Sequence, residues 1–302
     1  MKVSLVATVK DAGPFIRPFL DSVEAQTRLP DEVVIVDGGS SDGTVEALRT
    51  TSLTLIEEPG VNIARGRNLA VRAASHDVIA VSDADCILAP DWLEHILEPL
   101  ELGADVSMGL YRPLTSTMFE ACAAAISIKE RSEIDPRTYM PSSRSVAFRR
   151  EAFEAGGGYP EWLDLGEDMY LDHRWRDLGL RMDLAPGAVV FRRPRSSLTA
   201  YWRQFTGYAE ADARAGMHGR RHAIRFGVYA GLAAALVARR KLPLALAGLA
   251  SVAYVARPVR RALRLVPPRR ADRAAAILGT PALMVVTDLA KMAGYLRGLS
   301  RR

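Results

Sequence analysis

Two cysteines in 302 residues, Cys86 and Cys122, form neither a CxxC pair nor a disulfide framework, which fits a reducing compartment. There is no GxGxxG and no GxxxxGK[ST], so the usual dinucleotide and P-loop cradles are missing, and a nucleotide would have to be held by other means. Histidine is scarce. His218 and His222 stand four apart, but no Glu follows His218 as in HExxH, and Arg220 and Arg221 oppose a cation there; His76, His95 and His173 are scattered and receive no role. Met1-Lys2 runs directly into Val3–Val9 without separate basic and apolar regions, so no signal peptide is expected and the working end is expected in the cytoplasm. Acidic residues are nearly missing from the last third. Residues 192–302 carry 22 Lys and Arg against 4 Asp and Glu, whereas residues 1–191 carry 18 against 31. A basic tail suits nucleic acid or an anionic membrane, and the long apolar runs between its arginines favour the membrane over nucleic acid.

With 49% apolar residues the chain has material for one large core or two smaller ones. Val3–Val9 reads as a buried strand, and Ile16, Phe19, Leu20 and Val23 share one helix face. The β-branched run 33–36 ends in Asp37 and a turn-rich Gly38-Gly39-Ser40-Ser41-Asp42-Gly43 before a helix from Thr44. A strand at 53–56, a helix at 63–74 and a strand at 78–81 follow, then a helix over 91–101 and a strand over 106–110. An alanine-rich helix over 118–128, a strand over 145–148 and a helix ended by Gly179 continue the series. Alternating strands and helices predict an α/β fold, Rossmann-like, with a mostly parallel sheet and its ligand site at the carboxyl edge. A boundary is expected after Met217, with 1–217 as the α/β domain and 218–302 as a helical, basic, apolar region.

The strand at 78–81 runs into Asp83 and Asp85, two carboxylates one residue apart. At the end of a sheet strand such a pair supplies oxygen ligands for a hard divalent cation shared with substrate phosphates, although a solvated turn has the same composition. Glu167-Asp168 opens a helix, where the backbone dipole favours acids in any case.

Five motifs in order carry a resemblance: Ala7-Thr8 with Asp11, Asp37 through Asp42-Gly43-Thr44, Arg65-Gly66-Arg67-Asn68, Ser82-Asp83-Ala84-Asp85, and Gly157-Gly158-Tyr159 followed by Gly166-Glu167-Asp168. Over about residues 3 to 210 the chain resembles family 2 glycosyltransferases of GT-A fold. The resemblance implies inverting sugar transfer from a nucleotide-diphosphate donor, with Mg²⁺ or Mn²⁺ on the diphosphate; a UDP-sugar is the default, and GDP or dTDP donors stay open. It places Thr8, Asp11, Asp37 and Asp83 at the base and ribose, Arg67 and Asn68 on the nucleotide side, Asp85 as direct metal ligand with Asp83 close by, Asp168 as the base and Glu167 as its helper. An inverting transfer needs such a base to take the acceptor hydroxyl proton.

Where the family often has a metal-site histidine, this chain has Phe191-Arg192-Arg193-Pro194-Arg195. Either water completes the metal shell or Arg192, Arg193 or Arg195 neutralises the diphosphate. Gln204 begins a weak relative of the Gln-x-x-Arg-Trp pattern of processive synthases, with Gly207-Tyr208 in place of Arg-Trp, so processive synthesis is not expected.

The apolar runs 226–238 and 242–256 are split by Arg239-Arg240-Lys241, and each is short for a spanning helix. A hairpin in one leaflet, or helices in the interface, avoids placing that basic cluster across the membrane from the other arginines. Pro267-Pro268 marks a break before a stripe of Leu278, Ala282, Val285, Leu289, Met292 and Leu296, which reads as a core face, a dimer seam or a lipid face. The leading expectation is therefore a glycosyltransferase on the cytoplasmic face of the cell membrane, acting on a lipid-linked or surface-glycan acceptor. A sugar-phosphate nucleotidyltransferase and a non-catalytic membrane scaffold remain the competing readings.

Overall fold

The computed structural model describes residues 1–301. Contacts group them into two units: Met1–Arg112 with Arg131–Arg193, and Pro113–Glu130 with Pro194–Arg302. The boundary expected after Met217 thus meets a different division, in which residues 113–130 and 194–217 go with the C-terminal helices.

The first unit is built on an eight-stranded sheet. In chain order its elements are β1 (Val3–Val9), α1 (Ile16–Glu24), β2 (Glu32–Asp37), α2 (Thr44–Arg49), β3 (Thr54–Glu57), α3 (Ile63–Ala73), β4 (Val78–Asp83), β5 (Cys86–Leu88), α4 (Trp92–Glu101) and β6 (Val106–Pro113). After α5 (Met118–Ser127), which belongs to the second unit, come β7 (Val146–Arg149), α6 (Arg150–Gly156), α7 (Glu167–Asp177) and β8 (Met182–Arg192). The strand order is β3-β2-β1-β4-β7-β6-β8-β5. Its first four strands are parallel and read as near-continuous apolar runs where helices cover both faces. Beyond β4 the pairing turns antiparallel, β7 against β4 and β6, and β5 against β8, so the parallel expectation describes only half of the sheet. The three-residue β5 carried no expectation.

On one side of the sheet Phe19, Leu20, Trp92, Ile96 and Leu97 from α1 and α4 form the core. On the other, Val71, Phe153, Leu171 and Trp175 from α3, α6 and α7 pack on Val34, Ile79 and Phe148. Two register facts position the site: Thr8 stands beside Asp83 across β1 and β4, and Val9 beside Asp37 across β1 and β2. Because β7 is antiparallel, Val146 at its start faces Val81, which brings the segment before β7 to the same edge.

The second unit adds α8 (Leu198–Arg214), α9 (Gly219–Val237), α10 (Lys241–Leu265) and α11 (Arg270–Leu299) to α5. The short apolar run at 242–256 is extended by its arginine-rich continuation into one helix of 25 residues. By length and composition, α10 and α11 are each long and apolar enough to cross a membrane. Ala276, Thr280, Leu283, Met284, Thr287, Asp288, Ala290, Gly294 and Gly298 form the buried face of α11, most of them small residues at helical spacing. The expected stripe lies largely on the other face, with Leu278 at 74% exposure and Leu296 at 57%. Small residues win the inner face because the helices approach closely: a Cβ on Gly294 would overlap the main-chain oxygen of Thr206, and one on Gly298 that of Glu210, both on α8.

Gly294→Ala should therefore force α8 and α11 apart and destabilise the protein by about 1–3 kcal/mol, as overpacking does. Leu296→Ala, on the outward face, should change stability by less than about 0.5 kcal/mol. Thermal unfolding of the two variants side by side checks the assignment of faces, and equal losses would contradict it.

Candidate active site

The site is assembled at the edge where β1, β2 and β4 end. Asp37 closes β2 and is buried; its Oδ1 accepts the Gly39 and Ser40 amides at 2.8 and 2.9 Å, and its Oδ2 accepts the Ser40 hydroxyl at 2.5 Å. It thus shapes the turn-rich loop. Asp11 has φ 50, a left-handed geometry that Asp tolerates, and accepts the Ser41 amide at 2.8 Å. Its own amide donates to the Ser40 hydroxyl oxygen at 2.8 Å, so the loops after β1 and β2 are laced together. Thr8 lies at the end of β1 under Gly66 of α3, where an added Cβ would sit 3.0 Å from the Thr8 methyl. That missing side chain lets α3 lie close on the strand and carry its next residue inward.

The next residue is Arg67, whose side chain is 2% exposed. Its guanidinium donates to Asp83 Oδ1 at 2.5 Å and to Glu167, and lies over the Tyr159 ring at 5.4 Å from the centroid. Arg67 was expected on the nucleotide side; the structure turns it inward, because a buried cation is held between two carboxylates more favourably than alone. Burial works against its charge, yet Asp83 and Glu167 hold it protonated well above the ordinary arginine range. Asn68 is likewise taken up by the protein. Its amide donates to Tyr159 O at 2.8 Å and Glu161 Oε1 at 2.9 Å and accepts Tyr159 N at 2.9 Å, which pins the segment leading to α7.

A second arginine, missed in the sequence, completes the arrangement. Arg144 precedes β7, and its Nε lies 3.4 Å from Asp83 Oδ2 while its Nη1 donates to Ser142 Oγ at 2.8 Å. Ser142 in turn donates to Asp168 Oδ2 at 3.3 Å. A closed circuit results: Glu167, Arg67, Asp83, Arg144, Ser142 and Asp168, with the first and last adjacent in the chain. Burial pushes the Asp83 carboxyl up, but Arg67 and then Arg144 outweigh it and hold the group below the usual range. For Glu167 the balance goes the other way: burial and then the neighbouring Asp168 push it up to about 7 against the pull of Arg67. Asp172, one turn further along α7, is also buried with an unpartnered Oδ2, and burial and Asp168 push it well up.

Asp85 stands apart from the circuit. Its side chain is 38% exposed, with Arg192 Nε 3.5 Å from Oδ2, brought there by the pairing of Cys86 with Arg192 across β5 and β8. Arg193, beside it, is exposed. Arg195 and Gln204 lie in the second unit, where Gln204 donates to the Tyr208 hydroxyl at 2.9 Å. Among the described residues no three His, Cys, Asp or Glu side chains gather as a metal cage. An accessible carboxylate at a strand end, flanked by Asp83, instead fits a hard cation that takes its remaining oxygens from substrate phosphates.

The chain is similar to the O-antigen chain rhamnosyltransferase RfbN of Salmonella typhimurium, 30% identical over 207 residues that cover 63% of this chain and 66% of that protein. The succinoglycan biosynthesis protein ExoA of Rhizobium meliloti is 30% identical over 217 residues, covering 66% and 63% respectively. The chain thus matches less than two thirds of the length of these relatives. Among solved structures, the mannosyltransferase PcManGT from Pyrobaculum calidifontis, in complex with GDP-Man and Mn²⁺, superposes with a TM-score of 0.57 at 22% identity, covering 99% of this chain and 86% of that one, which shows the GT-A-like fold. The profile for glycosyl transferase family 2 matches residues 4–156, half of the chain, and the chain belongs to that family.

Proposed function

We propose that this protein transfers a sugar, with inversion, from a nucleotide-diphosphate donor to a glycan or lipid-linked acceptor, with a UDP-sugar favoured as donor. The observation that carries this reading is the pair of carboxylates at one sheet edge that differ in their surroundings. Asp85 is accessible beside Arg192, and Asp168 is joined to the donor-side Asp83 through Ser142 and Arg144. The names of the relatives, an O-antigen chain enzyme and a succinoglycan enzyme, favour an envelope polysaccharide as product.

In this reading Asp168 takes the proton of the acceptor hydroxyl as its oxygen attacks the anomeric carbon. Glu167 holds Arg67 and so keeps the start of α7 against β4. Mg²⁺ or Mn²⁺ on Asp85, with Asp83 close by, would supply charge neutralisation for the departing diphosphate. Arg192 adds fixed positive charge at the same place. Thr8, Asp11 and the Asp37 loop frame the edge against which the nucleoside would lie.

The second unit is proposed to hold the protein on the cytoplasmic face of an anionic membrane. Support comes from the outward apolar residues Leu242, Leu246, Leu249 and Val252 of α10 and Leu278, Val285, Leu289 and Leu296 of α11, together with the arginine excess around them. A second copy of the chain covering the same stripes is the competing explanation.

Asp85→Ala should abolish cation-dependent release of nucleoside diphosphate while the circular dichroism stays native, and chelation should do the same to the wild type. Full turnover in the folded variant would remove Asp85 from the metal site.

Asp168→Asn should keep donor affinity but lower transfer by a factor on the order of 10² or more, since an amide cannot take the proton. Weakened donor binding with unchanged transfer at saturating donor would move Asp168 into the nucleotide pocket.

In flotation with anionic liposomes the full-length protein should stay bound at high salt, because screening weakens the arginines' attraction, about 1 kcal/mol for each near the surface, but leaves apolar burial intact. Protein that remains in the soluble fraction as a dimer would show that its partner covers the stripes.

A further inference from the structure

We infer that Arg144 is a positioning residue for the base: through the Ser142 hydroxyl it fixes the ionised carboxylate of Asp168 and ties it to Asp83 on the donor side. The inference rests on the reading of Asp168 as base. Ser142 carries a single hydroxyl proton. Because Arg144 Nη1 donates to its oxygen at 2.8 Å, that proton is free to point elsewhere, and Asp168 Oδ2 lies 3.3 Å away. The same Oδ2 faces the Ser143 amide at 3.5 Å, and Oδ1 accepts the Met169 amide at 2.8 Å. The Ser142 contact is long, as catalytic contacts commonly are before substrate closes a site.

Both ends of the segment are anchored on the elements it joins. The buried Ser82 of β4 donates to Arg144 O at 2.9 Å, which sets the guanidinium against Asp83. At the other end Arg176 of α7 donates to Arg137 O at 2.6 Å and to Tyr139 O. The segment therefore runs from the helix that carries the base to the strand that carries the donor carboxylate. Arg144 is the link between them.

The chemistry requires such donors. Asp168 faces Glu167 and Asp172 on its own helix, Arg67 from α3 and Tyr159 from the preceding segment. Carboxyl neighbours disfavour a second negative charge, whereas hydrogen bonds from Ser142, Ser143 and Met169 favour the charged form and leave the remaining lone pairs for the acceptor hydroxyl. Removing such a donor disfavours the charged form that accepts the proton, so activity is lost at low pH and recovered as pH rises.

The test compares Ser142→Ala, Arg144→Ala, Arg144→Lys and Asp168→Asn, using whichever of a panel of UDP-, GDP- and dTDP-hexoses releases its nucleoside diphosphate fastest. Ser142→Ala and Arg144→Ala should move the acid limb of the kcat/KM profile up by about one pH unit, which is about tenfold in rate below the limb. Donor KM should change by less than about twofold, since the loss falls on the transition state rather than on ground-state binding. Arg144→Lys should restore part of the shift. Circular dichroism controls for folding, and if Arg144→Ala fails it, Ser142→Ala decides. An inactive Asp168→Asn together with unshifted limbs in the other variants overturns this inference alone; a fully active Asp168→Asn overturns the base itself. A raised donor KM in Arg144→Ala with Ser142→Ala silent would make Arg144 a diphosphate ligand and also overturn it.

Discussion

The site depends on one buried cation. Arg67 has lost its water, and the contacts that replace it come from Asp83 at the end of β4, Glu167 at the start of α7 and the face of Tyr159 between them. Removing one partner of such a buried pair leaves an uncompensated charge and typically costs about 3–5 kcal/mol, so each carboxylate is held where the guanidinium needs it. The two sequence-distant acidic motifs are thereby fixed relative to one another. Gly66 is the small residue that makes this reach possible, since α3 lies in contact with Thr8 of β1.

Once Arg67 and Arg144 are in place, the carboxylates of the first unit divide into two kinds. Asp83 and Glu167 have strong internal partners and serve the frame. Asp85 is more exposed, and Asp168 is held by weaker contacts from Ser142 and Ser143, which leaves both with capacity to meet a ligand. Asp172 belongs to neither kind: burial and then Asp168 push its carboxyl well above the usual range.

The second unit obeys a different packing rule. One of its core clusters joins small and aromatic residues to one leucine: Ala290 and Leu283 of α11, Cys122 and Ala123 of α5, and Tyr201 and Phe205 of α8. Close approach at Gly294 and Gly298 gains contact along the helix axes while Leu278, Leu289 and Leu296 stay exposed. α11 buries Leu283 and Met284 and leaves Leu278, Val285, Leu289 and Leu296 on its outward face.

By itself the sequence determined the parallel half of the sheet and the strand-end carboxylates, because β-branched runs followed by turn residues are local signals. Asp83 and Asp85 were legible for that reason, Glu167 and Asp168 as acids opening a helix, and the order of five motifs named the family. The inward turn of Arg67 and Asn68, the inclusion of Ser142 and Arg144, and the pairing of Arg192 with Asp85 were not, since each depends on which strands lie side by side. A βαβ pattern brings only the carboxyl ends of strands to the ligand edge. The antiparallel β7 enters from the other direction, so its leading residues arrive there too, and only the pairing of Val81 with Val146 reveals it. The same holds for α11: periodicity marks a stripe of leucines, but which face is buried was decided by how closely α8 approaches, a distance that no single helix encodes.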